Sequence, residues 1–143
     1  MQPAFFWEFG DGYIVNYGRE RADWFFPVKS MLEMGVIVAD SSDSPVTDHR
    51  PLFGIEQAIT RATNGGDCCG PDERLDLTTA LRLHTINGAY ASFEEQKKGS
   101  IEVGKLADLA LLSEDLARVP VTELRDLPVD MTIVGGEIEY EAM

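Results

Sequence analysis

Positive charge, cysteine, histidine and long apolar runs are all scarce in this sequence, and each shortage narrows what the chain can do. Lys and Arg number 12 against 25 Asp and Glu, for a formal charge of -13. The excess is spread along the chain: residues 1–70 carry 10 acidic and 5 basic side chains, and residues 71–143 carry 15 and 7. A dispersed acidic surface repels phosphates, which points away from nucleic acid and anionic membranes as partners. No apolar run approaches the roughly 20 residues that span a bilayer. The opening Met1-Gln2-Pro3-Ala4-Phe5-Phe6-Trp7-Glu8 has neither the basic region nor the long apolar stretch of a secretory leader. The two cysteines are adjacent, Cys68-Cys69, so they cannot frame a fold with disulfides or space a zinc site. They read as reduced loop thiols of a cytoplasmic protein. With two histidines, His49 and His84, and no HxH or HExxH string, a zinc site of three protein ligands does not assemble.

What is present fits one globular domain. Hydrophobic residues make up 44% and charged residues 26% of 143 positions, enough to bury a sizeable core. Ala4 to Trp7 reads as a short aromatic strand ended by Gly10-Asp11-Gly12, with a helix over Arg19–Phe26. Pro27 starts a second helix, closed by Gly35. Val36-Ile37-Val38-Ala39 is a continuous β-branched run, the pattern of a strand buried on both faces in a parallel sheet. Leu52–Thr63 has helical spacing, and Asp76 is placed to cap a helix from Leu77 to about Ala91. After Ile101 the texture turns to β. Leu109–Leu112 reads as a buried strand, Pro120–Leu127 as a short helix or loop, and Met131–Val134 and Glu137–Tyr140 flank Gly135-Gly136, a two-residue hairpin signal.

Asp43 is the first candidate for chemistry. It follows a buried strand, where βα architectures place substrate, and its carboxylate could ligate a metal or act as a base toward metal-bound water. It could equally cap the turn it sits in. Asp40 competes for the same role from a position nearer the strand. His49, in Thr47-Asp48-His49-Arg50, could reach a site near Asp43, whereas His84 lies on an apolar helix stripe and reads as a packing histidine. Ser41, Ser42 and Ser44 do not match a nucleophile elbow. Gly135-Gly136 is no phosphate loop, because no helix follows it.

Several strings, in order, are similar to the C-terminal part of amidohydrolase family 3, which includes N-substituted formamide deformylase-like enzymes. They include Gly18-Arg19-Glu20-Arg21-Ala22, Ser42-Asp43-Ser44-Pro45-Val46, Pro51-Leu52-Phe53-Gly54-Ile55 and Ala58-Ile59-Thr60-Arg61. Further on come Thr85-Ile86-Asn87-Gly88-Ala89-Tyr90-Ala91, the run from Lys98 to Leu109, and Thr132-Ile133-Val134-Gly135-Gly136.

The resemblance implies an α/β fold: the C-terminal portion of a (β/α)8 barrel plus part of an accessory β-sandwich. Residues 1–98 would be a partial barrel segment (strand-helix-strand-helix-helix), with Pro3–Trp7 and Val36–Ala39 as its last two strands. Residues 99–143 would be the small β unit of the composite sandwich domain. Asp43 would match the aspartate that contacts the catalytic metal and shuttles a proton. Two departures stand out: Asp40 and Ser41 replace small residues, and His84 replaces an aromatic. A full barrel takes about 250 residues, and the family's histidine ligands belong to strands upstream of these. The expectation is therefore a hydrolase-related chain, acting by descent on non-peptide C–N bonds but inactive alone. By itself it would bind no cofactor, although the parent family uses zinc or another divalent metal, and Asp43 would be its partial metal site. The alternative is a non-catalytic binding or assembly module. Either way the cut barrel should leave Phe5, Phe6, Trp7, Val36, Ile37 and Val38 as an apolar patch, favouring a homo-oligomer or a complementary barrel fragment as partner.

Overall fold

A computed structural model describes residues 1–142. Helices fill the first two-thirds of the chain: α1 (Phe5–Tyr17), α2 (Arg19–Ala22), α3 (Val28–Glu33), α4 (Pro51–Thr60), α5 (Leu77–His84) and α6 (Ile86–Ala91). The strands β1 (Leu109–Leu112), β2 (Val129–Val134) and β3 (Glu137–Glu141) form one antiparallel sheet in the order β1-β2-β3. Short 3-10 turns cover Pro71–Glu73 and Val121–Asp126. No helix among the described residues is long and apolar enough to cross a membrane.

The expected first strand is a helix. Phe5, Phe9, Tyr13 and Tyr17 recur every four residues, so a helix stacks them on one face. Phe5 and Phe9 meet edge-to-face at 5.3 Å, and Phe9 and Tyr13 are 6.3 Å apart. Gly10 and Gly12, taken as turn residues, lie inside this helix. Gly10 serves a close approach, because a Cβ there would stand 2.5 Å from Thr63 Cγ2.

Val36–Ala39 is a second correction. The segment is without strand pairing, and its backbone groups are taken up by other partners. Asn87 Nδ2 donates to the Val38 carbonyl at 2.8 Å, and the N-terminal amine of Met1 donates to the Ala39 carbonyl at 2.8 Å. The Asp40 N–H donates to Leu83 O, and the Ser41 N–H to Met1 O. No strand lies beside the segment to offer a ladder, so apolar character alone could not make it one. The apolar patch expected around these two segments is closed at Phe6, which is fully buried, and at Val38, 5% exposed, but it stays open at Val36 and Ile37, which are 43% and 50% exposed.

Other expectations hold in part. Leu109–Leu112 is a strand, but it is exposed at Ala110 and Leu111 and not buried. The Asp76 side chain accepts the Thr79 N–H at 2.9 Å and caps α5. The long helix expected after it breaks in two at Thr85. Helix α2 stops at Ala22, and Phe26 takes a left-handed φ of 50°. Gly135 and Gly136, with φ of 59° and 90°, turn β2 into β3 as a hairpin.

The larger core gathers Val28, Val38, Ile55, Ala58, Leu75, Ala80, Leu83 and Leu124. Leu124 comes from the 3-10 turn between β1 and β2 and plugs the C-terminal part into the helices. Beside it, Glu56 of α4 accepts from Arg125 Nε at 2.8 Å and from the Arg125 backbone N–H at 3.1 Å. The Arg125 guanidinium lies over Trp7 at 4.1 Å and Phe53 at 4.7 Å. A smaller core joins Phe6, Ala22 and Cys69. Arg61 stacks over Phe6 at 4.1 Å and donates to the carbonyls of Phe25 and Phe26, tying α4 to the turn after α2. Burial lowers the Arg61 pKa to about 10, which leaves the side chain charged at neutral pH.

Candidate functional site: the Asp43 loop and its buried stem

Asp43 lies on an exposed loop between two buried stems, Asp40 and Thr47. Its φ of 53° is left-handed, a conformation that aspartate tolerates better than most residues. The Val46 N–H donates to the Asp43 carbonyl at 2.8 Å and closes the turn. The side chain that caps this turn belongs to Ser42, whose Oγ accepts the Ser44 N–H at 3.2 Å. Among the described residues the Asp43 carboxylate has no hydrogen-bond partner, so it is not spent on capping and points to no internal task.

The other candidates are sorted by the structure. His49 is exposed, 3.9 Å from Asp48, and nothing joins it to Asp43. Asp48 is instead held by Arg50, whose Nε donates at 2.8 Å and backbone N–H at 2.9 Å. These bonds keep the Asp48 carboxyl below its usual pKa range. Ser41, Ser42 and Ser44 have no histidine to activate them: Ser41 Oγ accepts from Gln2, and Ser42 serves the turn. Cys69 is buried and its thiol is pushed up to about 11 by that burial, which makes it inert at neutral pH. Cys68 is half-buried, with Arg74 Nη2 donating to its Sγ at 3.2 Å.

The unforeseen feature is a pair. His84 Nε2 stands 2.7 Å from Asp40 Oδ2, with the Asp40 side chain wholly buried and that of His84 15% exposed. Neither atom has another polar partner, and the approach lies off the line of a regular hydrogen bond. The second Asp40 oxygen accepts the Ser41 N–H at 2.6 Å. Gly54 of α4 makes room for the contact, since a Cβ there would sit 2.8 Å from His84 Nε2 and 3.1 Å from Asp40 Oδ2. The apolar stripe around His84 gave it a packing role; the signal that could have corrected this is a second unusual residue, Asp40, in the same fold.

A cavity of about 660 Å³ lies between α4–α6 and β1, lined mainly by apolar side chains such as Leu52, Ile55, Leu81 and Leu109, with His84 on its wall. Asp43 does not line it. The cavity is a seam between helices and sheet, while the residue with chemical potential sits on the loop outside. As for metal, no three His, Cys, Asp or Glu side chains converge among the described residues. Catalytic zinc takes three protein ligands and an open position. Asp43 supplies one, so the residues present do not by themselves fit the metal.

Residues 1–140 match the Amidohydrolase family. The chain belongs to that family. It is 40% identical over 136 residues to an N-substituted formamide deformylase of Arthrobacter pascens, covering 93% of this chain and 25% of that enzyme. A crystal structure of a metal-dependent hydrolase from Pyrococcus horikoshii superposes with a TM-score of 0.63 at 28% identity, over 73% of this chain and 22% of the other. An adenosine deaminase from Xanthomonas campestris with bound zinc shares the fold, with a TM-score of 0.61 at 22% identity, over 79% of this chain and 28% of that one. The chain thus spans about a quarter of the length of the proteins it matches. The similarity to metal-dependent hydrolases supports a divalent metal in the parent family.

Proposed function

We propose that this chain is the Asp43-bearing C-terminal part of an amidohydrolase acting on non-peptide C–N bonds, and that it does not complete an active site alone. The observation that carries the reading is the exposed, unbonded Asp43 carboxylate on a loop within a family match over residues 1–140. In this reading residues 1–98 descend from the last βα units of a (β/α)8 barrel and residues 99–143 from the accessory β-sandwich. Asp43 is then the acid–base and metal-side residue of the assembled enzyme. The similarity to a formamide deformylase makes N-substituted formamides the first substrates to try.

The test is direct. The purified chain is dialysed against trace zinc, analysed for bound metal and assayed on simple N-substituted formamides. The expected outcome is less than stoichiometric zinc and no rate above background. About one zinc per chain with a metal-dependent rate, both lost in Asp43→Asn, would overturn the reading and establish a self-contained site.

A second reading, a non-catalytic assembly module, has its own support. Ile101, Val103, Ile138 and Tyr140 are exposed by half or more in the C-terminal part, an apolar surface suited to a partner. Under this reading the partner is a second copy of the chain or a complementary barrel fragment. Light scattering on the eluting chain separates the two states.

A further inference from the structure

We infer that Asp40 and His84 are positioning residues: a buried side-chain latch that fixes the stem of the Asp43 loop to α5. The regulation it describes rests on the reading of Asp43 as the reactive carboxylate, but the latch itself stands on geometry. The stem is held at each position before the loop opens. The Val38 carbonyl accepts from Asn87, the Asp40 N–H donates to Leu83 O, one Asp40 carboxylate oxygen accepts the Ser41 N–H, and the other stands 2.7 Å from His84 Nε2. Asp40 is the last buried side chain before the exposed run that carries Asp43, and the chain is not buried again until Thr47. The Asp40–His84 contact therefore sets where that run begins.

The contact is also exclusive. Oδ2 and Nε2 have no hydrogen-bond partner of their own, so removing either side chain takes from the other its one close polar contact. Removing both leaves a larger gap but no orphaned polar atom of the pair. Gly54 makes the same point from the third side, because any larger residue on α4 would drive into the histidine ring and the carboxylate together.

The experiment is amide hydrogen exchange on the intact chain, read at the hydrogen-bonded amides of the stem and loop, Asp40, Ser41, Ser44 and Val46, and, as reference, in α1. Asp40→Ala and His84→Ala should each speed exchange in the loop at least tenfold more than in α1. The double variant should exchange more slowly than the product of the two single effects by at least threefold. His84→Gln, which keeps a donor at similar reach, should recover most of the protection. Gly54→Ala should loosen the loop without touching either charge, which keeps the proposal testable if an alanine variant fails to fold. Effects of Asp40→Ala and His84→Ala that simply multiply, or loop exchange that follows α1 in every variant, would overturn the latch. Asp43→Asn separates the two ideas, since it should leave loop exchange unchanged; a failure of Asp43 chemistry would not move these rates.

Discussion

The helical part and the β part of this chain are held together by different physics. Among the described residues, every buried hydrophobic residue except Leu124 lies at or before Ala89. The helices are thus stabilised by side-chain burial around two cores. The sheet is held by its own backbone ladder, with β3 exposed along its whole length and Val134, Ile138 and Tyr140 more than half exposed. Its attachment to the helices is narrow. Leu124 is the plug, and the Arg125–Glu56 pair beside it is the fastening. One part is thus close to self-sufficient, whereas the other has a ladder and an attachment concentrated around one turn, with Leu116 and Val119 packed against the helical core and Arg50 donating to the Arg125 carbonyl.

The strongest way to break that division is to cut the fastening. Glu56→Ala leaves Arg125, 18% exposed in its side chain, without its carboxylate. Breaking a buried pair from one side costs about 3–5 kcal/mol, and urea denaturation should show a loss of that size. Trp7 lies against Arg125 at 4.1 Å, so its fluorescence should report the release of the sheet before helical signal is lost. A single coincident transition would mean that the two parts are one cooperative unit. The next effect belongs to the helical core. Leu83→Ala opens a cavity at a fully buried site and should cost about 2–5 kcal/mol, seen by the same titration with no separate sheet phase.

The same division governs what could be read in advance. The hairpin was legible because its two strands and the Gly135-Gly136 turn are contiguous, and each residue finds its partner within the segment. Asp76 as a cap was legible for the same local reason. Val36–Ala39 was misread because strand formation depends on a neighbour, and its backbone found Met1, Leu83 and Asn87 instead. The α1 error had a local remedy: the four-residue spacing of Phe5, Phe9, Tyr13 and Tyr17 was visible, but the short aromatic run Phe5–Trp7 outweighed it. Around the candidate site, the exposed turn that carries Asp43 was legible from its place after an apolar run, while the Asp40–His84 contact was not. It joins residues 44 positions apart through packing that no local pattern encodes.

A smaller effect tests the helical part at its edge. Asp76 accepts the Thr79 N–H and the Thr79 hydroxyl at 2.9 and 2.6 Å, and these bonds hold its pKa below the usual value. A folded-state pKa below the unfolded one contributes stability that is present above about pH 4 and lost as the pH falls through the folded value. Asp76→Ala should therefore cost about 1 kcal/mol at pH 7. The gap between parent and variant in urea midpoint should narrow as the pH falls below about 4. A gap that persists unchanged in acid would mean that the cap acts through packing and not through its charge.

The smallest expected effect on stability belongs to the sheet, and it sharpens the comparison most. Ile138 is 58% exposed on β3, so Ile138→Ser removes almost nothing from the interior of the single chain. Substitutions of that kind usually fall within about 0.5 kcal/mol. If the apolar surface around Ile138 and Tyr140 is where a second copy docks, the same substitution should act strongly on association. The charge of -13 opposes pairing, but it is screened beyond about 8 Å at physiological salt, whereas each apolar side chain buried between copies contributes about 1.5–3 kcal/mol. Gel filtration with light scattering should show the parent chain heavier than 15.8 kDa and Ile138→Ser shifted toward that mass, at nearly equal urea midpoints. A parent chain that elutes as a 15.8 kDa monomer would remove the self-association proposal. Equal masses for parent and variant, both above that of one chain, would move the interface to the exposed faces of the helical part, where Val15 and Trp24 are 82% and 65% exposed.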